Sequence, residues 1–171
     1  MNSGVAADVV CVRGHSGFEC SEFYVKFLSN VSPVDSCDLE KAGMFRDGQT
    51  TDFSTLSTLS VEEIAQQHIF FEKSIQWLSI WCNGELCGPE NAFVGPDNRM
   101  CFFNSSTRSY STQPSSRALR DMNLRLGKNV LLIKHSGLQT MVDFEMWLYD
   151  VNDRLIVMDI DGTITKSGTV L

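Results

Sequence analysis

The sequence predicts a mainly β protein: a β-sandwich with one or two short helices, followed by the first strand of an α/β domain. Several short stretches alternate apolar and polar residues, with turn residues between them and little helical spacing. The last apolar run, residues 155–158, is continuous, which is typical of a strand buried on both faces. We therefore expect a sandwich over residues 1–150 and the start of a second domain over residues 151–171.

Length and charge narrow the class of protein. A chain of 171 residues with 43% hydrophobic and 20% charged residues can bury a sizeable core. The formal net charge of -7 argues against nucleic-acid binding, which needs a basic surface, although a local basic patch could still meet a lipid surface. No apolar run reaches the ~18 residues of a transmembrane helix. The start MNSGVAADVV lacks the basic and apolar regions of a secretory signal.

The cysteines carry no metal-binding pattern. None forms a CxxC pair, and no histidine stands at a metal-ligand spacing from them. In a cytosolic protein we expect such residues to be reduced and buried as small hydrophobic side chains, with neither zinc nor a disulfide framework. The six are Cys11, Cys20, Cys37, Cys82, Cys87 and Cys101.

The first third of the chain predicts a hairpin and then an insertion. Residues 8–13 alternate, a Gly-His-Ser-Gly turn follows, and residues 18–27 form the second strand. Residues 28–73 are interpreted as an insert that begins as a mobile loop without any sustained period. It ends in a helix from Val61 to Lys73, because Ser60 and Glu63 have the spacing of a capping box.

The rest of the sandwich is predicted from strands and turns. Asn83-Gly84 is a strong hairpin signal between two strands, and a polar tract over residues 104–114 is interpreted as a linker between two halves. Ser115 or Ser116 can cap a short helix over residues 117–123. Two further strands are predicted over residues 130–134 and 141–149.

The last apolar run ends in the motif Asp159-Ile-Asp161-Gly-Thr163. A buried parallel strand delivers its final residues to the functional edge of an α/β sheet, and Gly162 lets the backbone curl so that both carboxylates converge. Asp159 can attack phosphorus to form an aspartyl-phosphate, while Asp161 protonates the leaving alcohol and then deprotonates water. Mg²⁺ could take oxygen ligands from Asp159 and from the Asp161 backbone. Thr163 and Thr165 can hold the loop by hydrogen bonds to the backbone.

Two other interpretations of this motif are weaker. In an EF-hand the glycine would come later than Gly162, and a glutamate would stand where the sequence has Val170. A strand ending in an ordinary acidic turn would explain a bare DxD, but not an apolar run followed by DxDGT. The phosphatase interpretation is therefore preferred.

The segment IVMDIDGTITKS resembles the first catalytic motif of the lipins, and the preceding LNLRLGKNVLLIKHSGLQTMVDFEMWLYDVNDRLIV resembles the lipin segment leading into it. Near the start, DVVCVRGHSGFECSEFYVKF is similar to the lipin amino-terminal domain, and SIWCNGELCGPENAFVGPDNRMCFF to its continuation. The resemblance implies an immunoglobulin-like sandwich built from both halves of the chain. It further implies that residues 151–171 open a truncated haloacid-dehalogenase-like phosphatase domain.

The resemblance also implies a function. Lipins dephosphorylate phosphatidate to diacylglycerol with Mg²⁺ at a membrane surface, so we expect a cytoplasmic enzyme, peripheral at the endoplasmic reticulum membrane, with the nucleus as a further location. Homo-oligomer formation is left open. The alternatives are a non-catalytic immunoglobulin-like module that binds membranes or proteins, and recognition of the phosphatidylinositol-transfer-protein type without hydrolysis. Intact Asp159 and Asp161 count against the last.

Three features depart from the lipin pattern. Gly168 stands where lipins carry an acidic residue, and MNSGVAAD is too short for the usual amino-terminal amphipathic helix. The later phosphate-binding Ser/Thr, the Lys and the distal Asp ligands do not occur before Leu171. We therefore expect the isolated chain to be inactive, as an accessory domain with only the first catalytic motif.

Overall fold

The computed structural model describes residues 4–28, 33–41, 43–46, 60, 62–63, 66, 75, 77–104, 106–135 and 141–156. Over these residues the protein is mainly β, which confirms the predicted class. The strands are β1 (Gly4–Ala6), β2 (Val9–Gly14), β3 (Gly17–Cys20), β4 (Val25–Phe27), β5 (Phe45–Arg46), β6 (Trp77–Cys82), β7 (Glu85–Val94), β8 (Met100–Asn104), β9 (Ser109–Ser111), β10 (Gly127–His135) and β11 (Met141–Asp150). The helices are α1 (Ser36–Lys41), α2 (Ser116–Asp121) and a 3-10 turn at Pro96–Asn98.

Both halves of the chain share one nine-stranded sheet, in the order β3-β2-β11-β10-β6-β7-β8-β9-β5. In its centre β10 pairs antiparallel with β11 and with β6, while β2 pairs parallel with β11. β1 and β4 form a second, two-stranded sheet. This small sheet and α2 lie over the core side of the large sheet, where β1 contacts β11 and α2 contacts β7.

Alternation along the central strands creates the main core. On β10 and β11 every second side chain is buried, as expected when one face of a sheet is covered and the other is not. Phe23 enters this core from the segment before β4, and its ring meets those of Phe102 at 5.5 Å and Phe144 at 5.3 Å, both edge to face. One aromatic side chain from the segment before β4 therefore packs against two strands of the large sheet.

The first predicted hairpin is confirmed only in part. β2 and β3 pair antiparallel around the Gly14-to-Gly17 turn, but the predicted second strand over residues 18–27 is divided. β3 ends at Cys20, and β4 pairs with β1 in the smaller sheet. The alternation shifts by one residue at this break, from the even positions Phe18 and Cys20 to the odd positions Phe23, Val25 and Phe27, and the chain changes sheets there.

The predicted insert over residues 28–73 contains regular structure, so its description as a loop is wrong for the part that is described. α1 and β5 fall inside it, and Leu39 and Met44, both 0% exposed, pack in a second core cluster with Phe93 and Tyr110. Six residues of helix and two of strand are too short to show a period.

The helix predicted from Val61 to Lys73 lies almost entirely outside the described residues. Its capping box is present, however. The Ser60 backbone N–H donates to the Glu63 carboxylate at 2.7 Å, and the Glu63 N–H donates to the Ser60 hydroxyl at 3.2 Å. Hydrogen bonding of the Ser60 backbone N–H and of the Ser60 side chain to the carboxylate holds the pKa of Glu63 below its usual value.

The tract over residues 104–114 is not a linker. It contains β9, which pairs antiparallel with β8 and parallel with β5, and the Tyr110 ring lies in the second core cluster. The Gln113 side chain also accepts a hydrogen bond from the Phe23 backbone N–H at 2.9 Å. Polar composition suggested a linker, but strand pairing depends on neighbours that are distant in the sequence.

The expectation that every cysteine is a buried thiol is wrong in two respects. Cys11 and Cys20 are directly opposite each other on β2 and β3 and form a disulfide, with their Cα atoms 4.0 Å apart. Cys37 is a free thiol but is exposed. Because pairing of two cysteines depends on strand register, their spacing in the sequence could not reveal it.

Candidate catalytic motif and the strands that lead into it

The strand before the predicted motif lies at the centre of the sheet. β11 runs between β10 and β2, and its core-facing residues Val142, Phe144, Met146 and Leu148 are buried. At its amino-terminal half, the Asp8 carboxylate accepts a hydrogen bond from the Glu145 backbone N–H at 2.9 Å. Residues from both ends of the chain thus fix the strand that leads toward Asp159.

A hydrogen-bonded turn fixes where the chain leaves β11. The Asp150 carboxylate accepts hydrogen bonds from the Asn152 backbone N–H and side-chain amide, at 3.1 and 2.8 Å, and these lower the pKa of Asp150. The Val151 N–H donates to the Arg13 carbonyl at 2.9 Å, and the Arg13 guanidinium lies 3.6 Å from Asp150. The Asp153 N–H also donates to the Asp150 carbonyl at 2.9 Å, so a turn follows β11.

Beyond this turn the structure differs from the sequence prediction. Leu155 and Ile156 lie outside any strand and are 47% and 85% exposed. The prediction that a strand buried on both faces begins at Leu155 is therefore wrong for these two residues, while Val157 and Met158 lie outside the described residues. Such a strand needs a paired neighbour on each side, and none of the described strands pairs with Leu155 or Ile156.

The predicted site residues themselves also lie outside the described residues. They are Asp159, Asp161, Gly162, Thr163 and Thr165. Within the described part of the chain, no group of three or more His, Cys, Asp or Glu side chains is placed to hold a metal ion. The carboxylate oxygens of Asp159 and the backbone carbonyl oxygen of Asp161 are hard donors of the kind that Mg²⁺ prefers, so the donor types fit this ion.

A buried polar residue near the start of β10 is structurally important and was not predicted. Asn129 is 0% exposed, and its Oδ1 accepts hydrogen bonds from the Arg125 N–H at 2.8 Å and from Asn83 Nδ2 at 3.0 Å. Its Nδ2 donates to the backbone carbonyls of Arg125, at 2.8 Å, and Met146, at 3.2 Å. The sequence signal was an asparagine on the core register of an apolar strand.

Asn83 extends this link to the β6–β7 hairpin. Its φ of 52° and the φ of 88° at Gly84 give the left-handed pair that a tight hairpin turn needs. Its Oδ1 accepts a hydrogen bond from the Val130 N–H at 3.0 Å, and its own N–H donates to the Val130 carbonyl at 2.9 Å. The hairpin is thereby fixed to β10, one strand away from β11.

Comparison with known proteins finds similarity over the carboxyl-terminal segment of the chain. The family model described as LNS2 (Lipin/Ned1/Smp2) matches residues 110–170, from β9 through the DIDGT motif. The predicted resemblance to the lipins is therefore confirmed over this carboxyl-terminal segment. The chain is also similar to Nuclear elongation and deformation protein 1 of Schizosaccharomyces pombe, with 38% identity over 56 residues.

That match covers 33% of this chain and 8% of the Schizosaccharomyces pombe protein. No helix within the described residues combines the length and apolar character needed to cross a bilayer.

Proposed function

We propose that the protein is a lipin-type, Mg²⁺-dependent phosphatidate phosphatase that converts phosphatidate to diacylglycerol. The observation that carries this proposal is the family match over residues 110–170, which includes the motif Asp159-Ile-Asp161-Gly-Thr163. The central strand β11 and its hydrogen-bonded turn support the proposal, because they anchor the chain nine residues before Asp159.

The motif supplies the groups for two successive displacements. The Asp159 carboxylate attacks the phosphorus of the phosphate monoester, the bond to the lipid oxygen breaks, and the departing alkoxide takes a proton from Asp161 to give diacylglycerol. Water then loses a proton to Asp161 and attacks the aspartyl-phosphate. Inorganic phosphate leaves, and Asp159 returns to its carboxylate form.

The metal and the loop complete the proposed site. Asp159 and Asp161 would hold Mg²⁺, which when bound offsets the repulsion between the carboxylates and the phosphate dianion. Gly162 gives the backbone the freedom to turn after the second carboxylate, and the hydroxyls of Thr163 and Thr165 hold the loop.

The finer architecture and location follow the same family. We propose that residues 1–150 form the lipin immunoglobulin-like sandwich and that residues 151–171 open the haloacid-dehalogenase-like domain. In support, strands from both halves of the chain pair in one sheet. The enzyme would act at the surface of the endoplasmic reticulum membrane. A nuclear location is supported by the name of the Schizosaccharomyces pombe relative, which refers to nuclear elongation.

The test uses the full-length protein, with any coding sequence that follows Leu171. Phosphate release from phosphatidate in detergent micelles is measured with Mg²⁺ and with a chelator. We expect activity that requires Mg²⁺ and that falls about 10²–10⁴-fold in Asp159→Asn and in Asp161→Asn. The control is Asp143→Asn, which changes an exposed carboxylate on β11 and should leave activity within about twofold.

Two results would contradict the proposal. One is an inactive full-length protein whose behaviour is unchanged by Asp159→Asn. The other is phosphate release that persists in both motif variants. If the inactive protein co-sediments with anionic liposomes regardless of Asp159, the non-catalytic binding module is the better description.

A further inference from the structure

The hairpin of β2 and β3 carries the disulfide between Cys11 and Cys20, while the chain's other cysteines are thiols. The same chain thus contains one disulfide and four cysteine thiols. Disulfides in the reducing cytosol of mesophilic organisms are usually transient, whereas permanent ones belong to oxidising compartments. Whether this bond is permanent or reversible depends on access to its sulfurs and on what the bond holds in place.

Access to the two sulfurs is unequal. Cys11 is 0% exposed and lies in the main core, whereas Cys20 is half-buried on β3. β3 is the last strand at one edge of the large sheet, so only β2 covers it in the plane of the sheet. Thiol–disulfide exchange needs a thiolate to reach one sulfur. Cys20 packs against the main core but is only half-buried, so it is the more accessible of the two cysteines to an external thiol.

The bond holds a short edge strand to β2, the strand that also pairs with the end of β11. β3 has four residues and contacts α2, whose Ser116 side chain lies beside Gly17. On the other side of β2, Arg13 holds Val151 and Asp150 at the end of β11. Loss of the bond removes the covalent restraint on β3, and β2 then keeps its place through its pairing with β11.

We propose that the Cys11–Cys20 disulfide is a reversible redox switch that fixes or releases the β3 edge, which β2 separates from β11. A glutathione thiolate attacks the Cys20 sulfur, the bond to Cys11 breaks, and Cys11 leaves as a thiolate that takes a proton. A second glutathione then attacks the mixed disulfide, which gives two protein thiols and one glutathione disulfide. This proposal does not depend on the phosphatase assignment.

The full chain is equilibrated in buffers of graded glutathione to glutathione-disulfide ratio, quenched with acid, and alkylated after denaturation. We expect the number of alkylated cysteines to rise from four to six as the reduced fraction increases, with Cys11 and Cys20 changing together in peptide maps. The far-ultraviolet circular dichroism of the sheet should stay unchanged. Amide hydrogen exchange in β3 should speed up at least about tenfold on reduction, while that in β10 stays constant.

Two variants separate the switch from general effects on folding. Cys37→Ser removes an exposed thiol and should keep the paired change at Cys11 and Cys20. Cys20→Ala should show, in every buffer, the β3 exchange rates of the reduced protein. The proposal is overturned if six cysteines are alkylated at every glutathione ratio, or if only four are alkylated when the folded protein is in excess reductant. It is also overturned if the rate of amide hydrogen exchange in β3 is the same in the oxidised and reduced protein.

Discussion

Replacing Asn129 tests whether its buried amide holds the β6–β7 hairpin and β11 to β10. In Asn129→Ala, the Arg125 N–H and Asn83 Nδ2 lose their acceptor, and the Met146 carbonyl loses a donor. We also consider Asn129→Leu, which removes the same hydrogen bonds but fills the space with a side chain of similar size.

The expected loss in the free energy of unfolding follows from these hydrogen bonds. A buried donor left without a partner costs about 1–3 kcal/mol, and a lost hydrogen bond about 0.5–1.5 kcal/mol. With two donors affected, both in half-buried surroundings, the lower values apply, and we expect about 3 kcal/mol for Asn129→Ala. This loss lowers the folding equilibrium constant more than about a hundredfold, and it lowers Tm by about 6–12 °C for a chain of this size.

Urea denaturation followed by tryptophan fluorescence and circular dichroism measures the change. Asn152→Ala is the matched control, because Asn152 is exposed and its side chain contacts the Asp150 carboxylate in a surface turn. It should cost less than about 0.5 kcal/mol. If Asn129→Leu is as stable as the unmodified protein, the hydrogen bonds of Asn129 are not what holds these strands together, and the reasoning fails.

Three further predictions test other parts of the structure by the same denaturation assay. Phe23→Ala should lower the free energy of unfolding by about 3–5 kcal/mol, because it removes the contacts with two core rings. Leu86→Ala changes a side chain that is 65% exposed and should lower it by less than about 0.5 kcal/mol. Ser115→Ala should cost about 1 kcal/mol, since the Ser115 hydroxyl accepts the Ala118 N–H at 3.1 Å, and Ser115→Asp should restore most of it. Burial lowers the pKa of His135 below its usual 6.5, so the unfolded chain takes up the proton first as pH falls. Stability should therefore decrease as pH drops below about 6.5, and His135→Gln should show a smaller decrease; an equal decrease in both would contradict the assignment.

Local signals in the sequence were sufficient for many elements. The Asn83-Gly84 turn, the capping box of Ser60 and Glu63, and the helix after Ser115 all appear as predicted, except that the sequence left Ser115 and Ser116 as alternative caps. The structure selects Ser115. These features depend on hydrogen bonds within a few residues, so their residue types are sufficient to predict them.

The catalytic motif is a different case. Asp159 and Asp161 were predicted from residue types and from the apolar run before them, and the family match over residues 110–170 includes both. The shape of their site stays a prediction, because it depends on where the chain goes after Ile156. The exposure of Leu155 and Ile156 shows that an apolar run alone does not specify a buried strand.

By itself, the sequence determined the mainly β class, the positions of the tight turns and the resemblance of the carboxyl-terminal segment to the lipins. Only the tertiary structure decided that β2 lies beside β11, that the polar tract before α2 supplies β9, and that Cys11 faces Cys20. The physical reason is that alternation tells which side chains of a strand face the core, while the choice of neighbouring strand depends on contacts between residues far apart in the chain.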